Sequence, residues 1–147
     1  MRVKVRAVVI ERRRLLVVPE RRTGAHSHMA LPGGRVADRE TVTEALLREL
    51  REETRLEATP ERLLYIAEVT APHRLQDVNL IFLVTPQGTP DLSDLLFVDL
   101  ADGAPPLILP PIVPEIAVDL ANQWQNTPRW LGNIWDESLS ARQAGLD

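Results

Sequence analysis

Glu49, Glu52 and Glu53 are the residues whose type and spacing can do chemistry. On a helix, which turns about 100° per residue, the i, i+3, i+4 spacing puts all three carboxylates on one side. Val42, Ala45, Leu46 and Leu50 fall on that same side. Carboxylates crowded beside an apolar stripe repel one another and are costly to bury. A hard divalent cation such as Mg²⁺ or Mn²⁺ relieves both problems, because such ions take oxygen ligands. The competing reading is a charged helix end laced by i, i+4 pairs such as Arg48–Glu52. The opposite side, with Glu44, Arg48, Arg51 and Arg55, reads as an ordinary solvated face.

Two local signals must position these acids. Thr41-x-x-Glu44 is a capping box, so the helix is predicted over Val42 to Thr54. Leu31-Pro32-Gly33-Gly34 reads as a turn in which the backbone approaches something closely.

Taken together, Gly34-x5-Glu40-x7-Arg48-Glu49-Leu50-x-Glu52-Glu53-x-x-Leu56 resembles the signature of the Nudix hydrolases, G-x5-E-x7-R-E-U-x-E-E-x-G-U, where U is aliphatic. One fixed position differs: Arg55 stands where that family has glycine. Leu31-Pro32-Gly33 looks like the family's usual lead-in. The resemblance implies an α/β fold, a mixed β-sheet sandwiched between α-helices. It implies metal-assisted hydrolysis of a diphosphate bond in a nucleoside diphosphate linked to another moiety. Glu49 and Glu53 would be the main ligands of Mg²⁺ or Mn²⁺. Glu52 would share a metal or position the water, and the Gly34 carbonyl would complete the shell. Arg48 would orient the cluster, and Glu40, like Gly33, would serve the motif structurally. Glu52 is the local candidate for a general base, with Asp77, Asp102 and Glu115 as later acids. Pro72, sixteen residues beyond Leu56, is similar to a marker of ADP-ribose pyrophosphatases. A nucleoside triphosphate pyrophosphohydrolase is the alternative. A non-catalytic nucleotide-binding module is another, although such modules usually lose the acids kept here. Relatives are commonly dimers, which implies a homodimer.

Composition sets outer bounds. At 147 residues the chain suits one domain, with the last ten residues frayed. Apolar residues at 44% and charged residues at 26% are ordinary globular values. Cysteine is absent, which excludes disulfides and thiolate metal sites. A net charge of −4 argues against a nucleic-acid polymer as partner. No apolar run resembles a signal peptide or membrane span, so the expected setting is cytoplasmic.

The remaining elements follow from patterning. Arg2 to Ile10 alternates, predicting a strand with Val3, Val5, Ala7 and Val9 on a core face and Arg2, Lys4, Arg6 and Val8 on a solvated one. Leu15 to Val18 completes a hairpin around the Arg12-Arg13-Arg14 turn. His26 and His28 sit in a loop leading to the glycine turn and read as surface residues. Thr59 to Arg62 reads as a turn or short helical start. Leu63 to Thr70 and Val78 to Thr85 are strands, the second nearly continuous in apolar residues and so central. Residues 86–114 form a long Pro- and Gly-rich segment containing a strand over Leu95 to Leu100. Pro114 opens a helix running to about Gln125, with Ile116, Ala117, Leu120 and Trp124 as its apolar face. Trp130 and Trp135 read as seals of the core or a dimer contact, or as platforms for a base.

Overall fold

The computed structural model describes residues 1–20, 28–72, 76–101 and 107–135. In chain order the strands and helices are β1 (Arg2–Val8), β2 (Ile10–Glu11), β3 (Arg14–Glu20), β4 (His28–Ala30), β5 (Gly33–Arg35), α1 (Val42–Thr54), β6 (Ala58–Val69), β7 (Asp77–Pro86), β8 (Leu96–Asp99), β9 (Ile108–Leu109), α2 (Val113–Ala121) and β10 (Arg129–Asn133).

The first sheet is mixed and five-stranded, in the order β10-β6-β7-β1-β5. β1 runs parallel to β7 and antiparallel to β5, while β6 and β7 pair antiparallel. The apolar run of β7 therefore lies in the interior of the sheet, between β6 and β1, as its sequence predicts. One face packs against α1: Val5, Ala7 and Val9 share a core with Ala45, Leu46, Leu50, Leu56 and Val84. The other face builds a second core, in which Val8, Tyr65 and Ile81 meet Leu15, Val17 and Ile108 of the second sheet and Val113 and Ile116 of α2. The expected solvated face of β1 is thus corrected. Val8 is fully buried and Arg6 nearly so, because the second sheet covers that side. Only the pairing of distant segments could reveal this.

The second sheet orders β2-β3-β4-β9, with β8 also paired to β3. The hairpin turns through Arg12 and Arg13, at φ 51° and 64°, both exposed, so the arginine run is a solvated turn. β8 and β9 punctuate the long Pro-rich segment. His26 lies outside the described residues, as do Asp102 and the last twelve positions. His28 is not a loop residue; it pairs with Glu20 across β3 and β4, with its side chain mostly buried.

Two boundaries differ from expectation. Thr59 to Arg62 belongs to β6, and the register shifts between Pro60 and Arg62 and again between Leu63 and Tyr65. Such bulges let a strand carry a proline. α2 stops at Ala121 instead of Gln125, because Gln123 and Trp124 take left-handed φ values of 56° and 62°. Trp124 still reaches the second core, whereas Trp130, predicted as a seal, is 60% exposed.

α1 begins and ends as its residues dictate. The Thr41 hydroxyl accepts the Glu44 amide at 3.1 Å, and the Glu44 carboxylate accepts the Thr41 amide at 3.0 Å. At the other end Arg55 takes the left-handed conformation, φ 64° and ψ 12°, and its amide donates to the Arg51 carbonyl. That conformation costs a non-glycine residue about 1 kcal/mol, partly offset by the extra freedom glycine has when unfolded. Arg55→Gly is therefore expected to stabilise the fold by about 0.5 kcal/mol in urea unfolding. KM should stay unchanged. A large rise in KM would instead put Arg55 on the substrate.

Candidate active site

Arg48 is the hub of the acidic helix. Its Nε and Nη2 grip both Glu40 oxygens at 2.6 and 2.9 Å. Nη1 donates to Glu49 at 3.1 Å and to Glu52 at 3.3 Å, and Nη2 to the Arg35 carbonyl at 3.2 Å. The expected solvated face is wrong at this position: Arg48 lies half-buried among carboxylates. One planar fork can serve several oxygens this way. The charge-assisted pair holds the Glu40 carboxyl down to about 2. Glu40 also accepts the Ala37 amide at 3.0 Å, so it fixes the loop before the helix. Arg51, on the outer face, pairs only with exposed Glu57.

The glycine turn closes onto the same acids. The Gly33 amide donates to Glu53 Oε1 at 2.8 Å. Gly33 has φ 149°, and a Cβ there would overlap the Val5 carbonyl and crowd Arg6. A Cβ on Gly34 would lie 2.5 Å from Glu49 Oε1. Both positions thus need glycine for close approach, one to β1 and the other to a carboxylate. Glu53 is pushed up to about 7, chiefly by desolvation, with Glu49 and Glu20 adding to it; the Gly33 amide and Arg6 oppose the shift. The side chain nevertheless reaches solvent, so water screens part of this effect.

Arg6 joins this corner to a cleft that the sequence reading missed. Its Nη1 donates to the Leu31 carbonyl at 2.8 Å, and its Nη2 lies 3.7 Å from Glu20. The cleft is lined on its polar side by Lys4, Arg6, Glu20, Asp77 and Asn79, and on its apolar side by residues that include Leu109, Pro110 and Trp135. The available signal was a cation at every second residue of β1, at Arg2, Lys4 and Arg6.

The later acids fare differently as general bases. Asp77 is bound by Arg2 at 2.6 Å and Lys4 at 3.2 Å, which keep its carboxyl below the usual range despite burial. A carboxylate so committed is a poor base. Glu115 opens α2, which packs into the second core and not the core of α1. Glu52 remains on α1, exposed and beside Glu49 and Glu53 in sequence.

Among the described residues, no three His, Cys, Asp or Glu side chains are gathered as a metal cage. Glu49 and Glu52 turn to Arg48, and Glu53 to the Gly33 amide. The donor chemistry nonetheless fits a hard divalent ion: carboxylate oxygens beside a tight glycine backbone, with Glu53 raised by its neighbours' negative charge.

Among the described residues no helix is long and apolar enough to cross a membrane. The profile of the NUDIX domain matches residues 1–103. No curated protein matches by sequence. Solved structures do. A UDP-X diphosphatase shares 22% identity at TM-score 0.66, covering 87% of this chain and 65% of its own. The chain thus spans just under two thirds of that relative. An ADP-ribose pyrophosphatase from Streptococcus suis shares 22% identity at TM-score 0.61, covering 90% of this chain and 97% of its own. A MutT NUDIX hydrolase from Burkholderia pseudomallei shares 27% identity at TM-score 0.60, covering 80% and 95%. With the profile extending from β1 through α1 and β7, and with this α/β architecture common to the solved hydrolases, the chain belongs to the NUDIX domain family.

Proposed function

We propose that the protein is a pyrophosphohydrolase that cleaves the diphosphate bond of a nucleoside diphosphate linked to a further moiety, such as ADP-ribose or another sugar nucleotide. The observation that carries this reading is the Arg48-centred cluster of Glu40, Glu49 and Glu52, set beside Glu53 on the Gly33 amide. The named enzymes of this fold include a UDP-X diphosphatase and an ADP-ribose pyrophosphatase, which supports the substrate class.

Glu49 and Glu53, with Glu52 and the Gly34 carbonyl, would hold Mg²⁺ or Mn²⁺. Bound there, the cation neutralises phosphate oxygens and lowers the pKa of a water. The protein's own contribution is positional. Arg48 spaces the carboxylates and holds them charged through direct hydrogen bonds. Gly33 and Gly34 bring backbone against Glu53 and Glu49, where any side chain would intrude. Glu40 ties the preceding loop to Arg48, so the helix and turn move as one unit. Glu52 is the residue placed to take a proton from water on the solvent side.

The test is metal removal. EDTA should abolish ADP-ribose or UDP-sugar hydrolysis, and Mg²⁺ or Mn²⁺ in excess should restore it fully. Turnover that persists in chelator after exhaustive dialysis would contradict the role given to the acidic helix.

A further inference from the structure

Asn79 sits in the interior of the first sheet, opposite Lys4 on β1 and Ala67 on β6. It is 3% exposed, yet its side chain lines the cleft and has no hydrogen-bond partner among the described residues. The charged groups beside it are already engaged. Lys4 holds Asp77, and Arg6 holds the Leu31 carbonyl and faces Glu20. A buried carboxamide left unpaired costs about 1–3 kcal/mol, and such a group calls for an explanation.

The walls around it narrow the ligand. Leu109, Pro110, Pro111, Ile134 and Trp135 bring apolar surface to the same cleft. A sugar or phosphate presents polar groups in all directions and would strand them against these walls. A nucleobase has two apolar faces and a polar edge, which suits aromatic and aliphatic walls around one amide. A carboxamide supplies a donor and an acceptor side by side, the pattern that reads a base edge bidentately. The cleft also leads to the acidic helix, since Arg6 lines it and packs against Gly33, whose amide holds Glu53.

We propose that Asn79 is a specificity-determining residue that binds the polar edge of the nucleobase, with the base lodged in the apolar cleft beside Trp135. The proposal deepens the hydrolase reading and rests on it for the word substrate. Base binding itself can be measured without turnover.

The experiment is calorimetric titration of the full chain with AMP, GMP, CMP and UMP, each against ribose 5-phosphate, in Mg²⁺. In the wild type at least one nucleotide should bind about tenfold tighter than ribose 5-phosphate, equivalent to about 1.4 kcal/mol. Asn79→Asp, which removes the donor at constant size, and Asn79→Leu should cut that advantage to about threefold or less. Ribose 5-phosphate affinity should stay unchanged in both. In sugar-nucleotide hydrolysis the same variants should raise KM and spare kcat. No base advantage in the wild type overturns the proposal, whatever the variants do. So does an undiminished advantage in folded variants. Base binding that depends on Asn79, with no hydrolysis of any sugar nucleotide, would sink the hydrolase reading and leave the base site standing.

Discussion

Glu53→Gln is expected to lose more than 100-fold in kcat while becoming more stable in the absence of metal. Removing a residue that only supports a metal ligand typically costs 10–100-fold, so loss of a direct ligand should exceed that range. The stability arm follows from the proton equilibrium. Glu53 has a folded pKa of about 7, above the ordinary value of 4.5. Its favourable contribution is complete below pH 4.5, where folded and unfolded states are both protonated, and is lost as pH rises through 7. Because the side chain reaches solvent, the loss is discounted to roughly 1 kcal/mol, about 3 °C in Tm for a chain of this size. Glutamine keeps the acceptor that takes the Gly33 amide and carries no charge. In EDTA the variant should therefore match the wild type near pH 4.5 and melt a few degrees higher at pH 8. Full activity in this variant would remove Glu53 from the site. A stability gap that ignores pH would remove the electrostatic account of its environment.

Arg48→Met should weaken Mn²⁺ binding about 10–100-fold, with activity partly recovered at saturating metal. Arg48 binds Glu40, Glu49, Glu52 and the Arg35 carbonyl at once. Methionine keeps much of the stem but none of the donors. Glu49 and Glu52 then lose their shared cation and repel each other, and Glu40 loses its grip on the helix. Arg51→Met is the control, since Arg51 meets only exposed Glu57. An exposed pair of this kind contributes about 0–1 kcal/mol, and metal affinity should not move. Titration followed by the Mn²⁺ EPR signal distinguishes the two variants. Equal effects would mean that Arg48 acts as bulk positive charge and not as an organiser.

The local parts of this site were legible in the sequence because local rules set them. The capping box fixed the start of α1, a positive-φ residue at Arg55 fixed its end, and the glycine pair marked the close approach to Val5 and Glu49. The sequence placed Arg48 on the outer side of the helix, because a helical wheel takes no account of a loop folding back over it. The Glu40 carboxylate comes from that loop. Arg6 was likewise read as solvated. Its burial depends on Leu31 and Glu20, which only the second sheet brings alongside. Asn79 and Trp135 are 56 positions apart, and no periodicity links them to one cleft. Thr59 to Arg62 misled because Pro60 signals a turn, while two bulges keep it in β6.

The most direct test of the central claim is a product assay by ³¹P NMR. ADP-ribose, other sugar nucleotides, dinucleoside polyphosphates and nucleoside triphosphates would be incubated with Mg²⁺, beside Glu53→Gln. The expected result is cleavage of a linked nucleoside diphosphate at its bridge, giving a nucleoside monophosphate and a phosphorylated second product, by the wild type alone. No cleavage across the panel, with thermal stabilisation by one compound, would contradict the enzyme and leave a nucleotide-binding module.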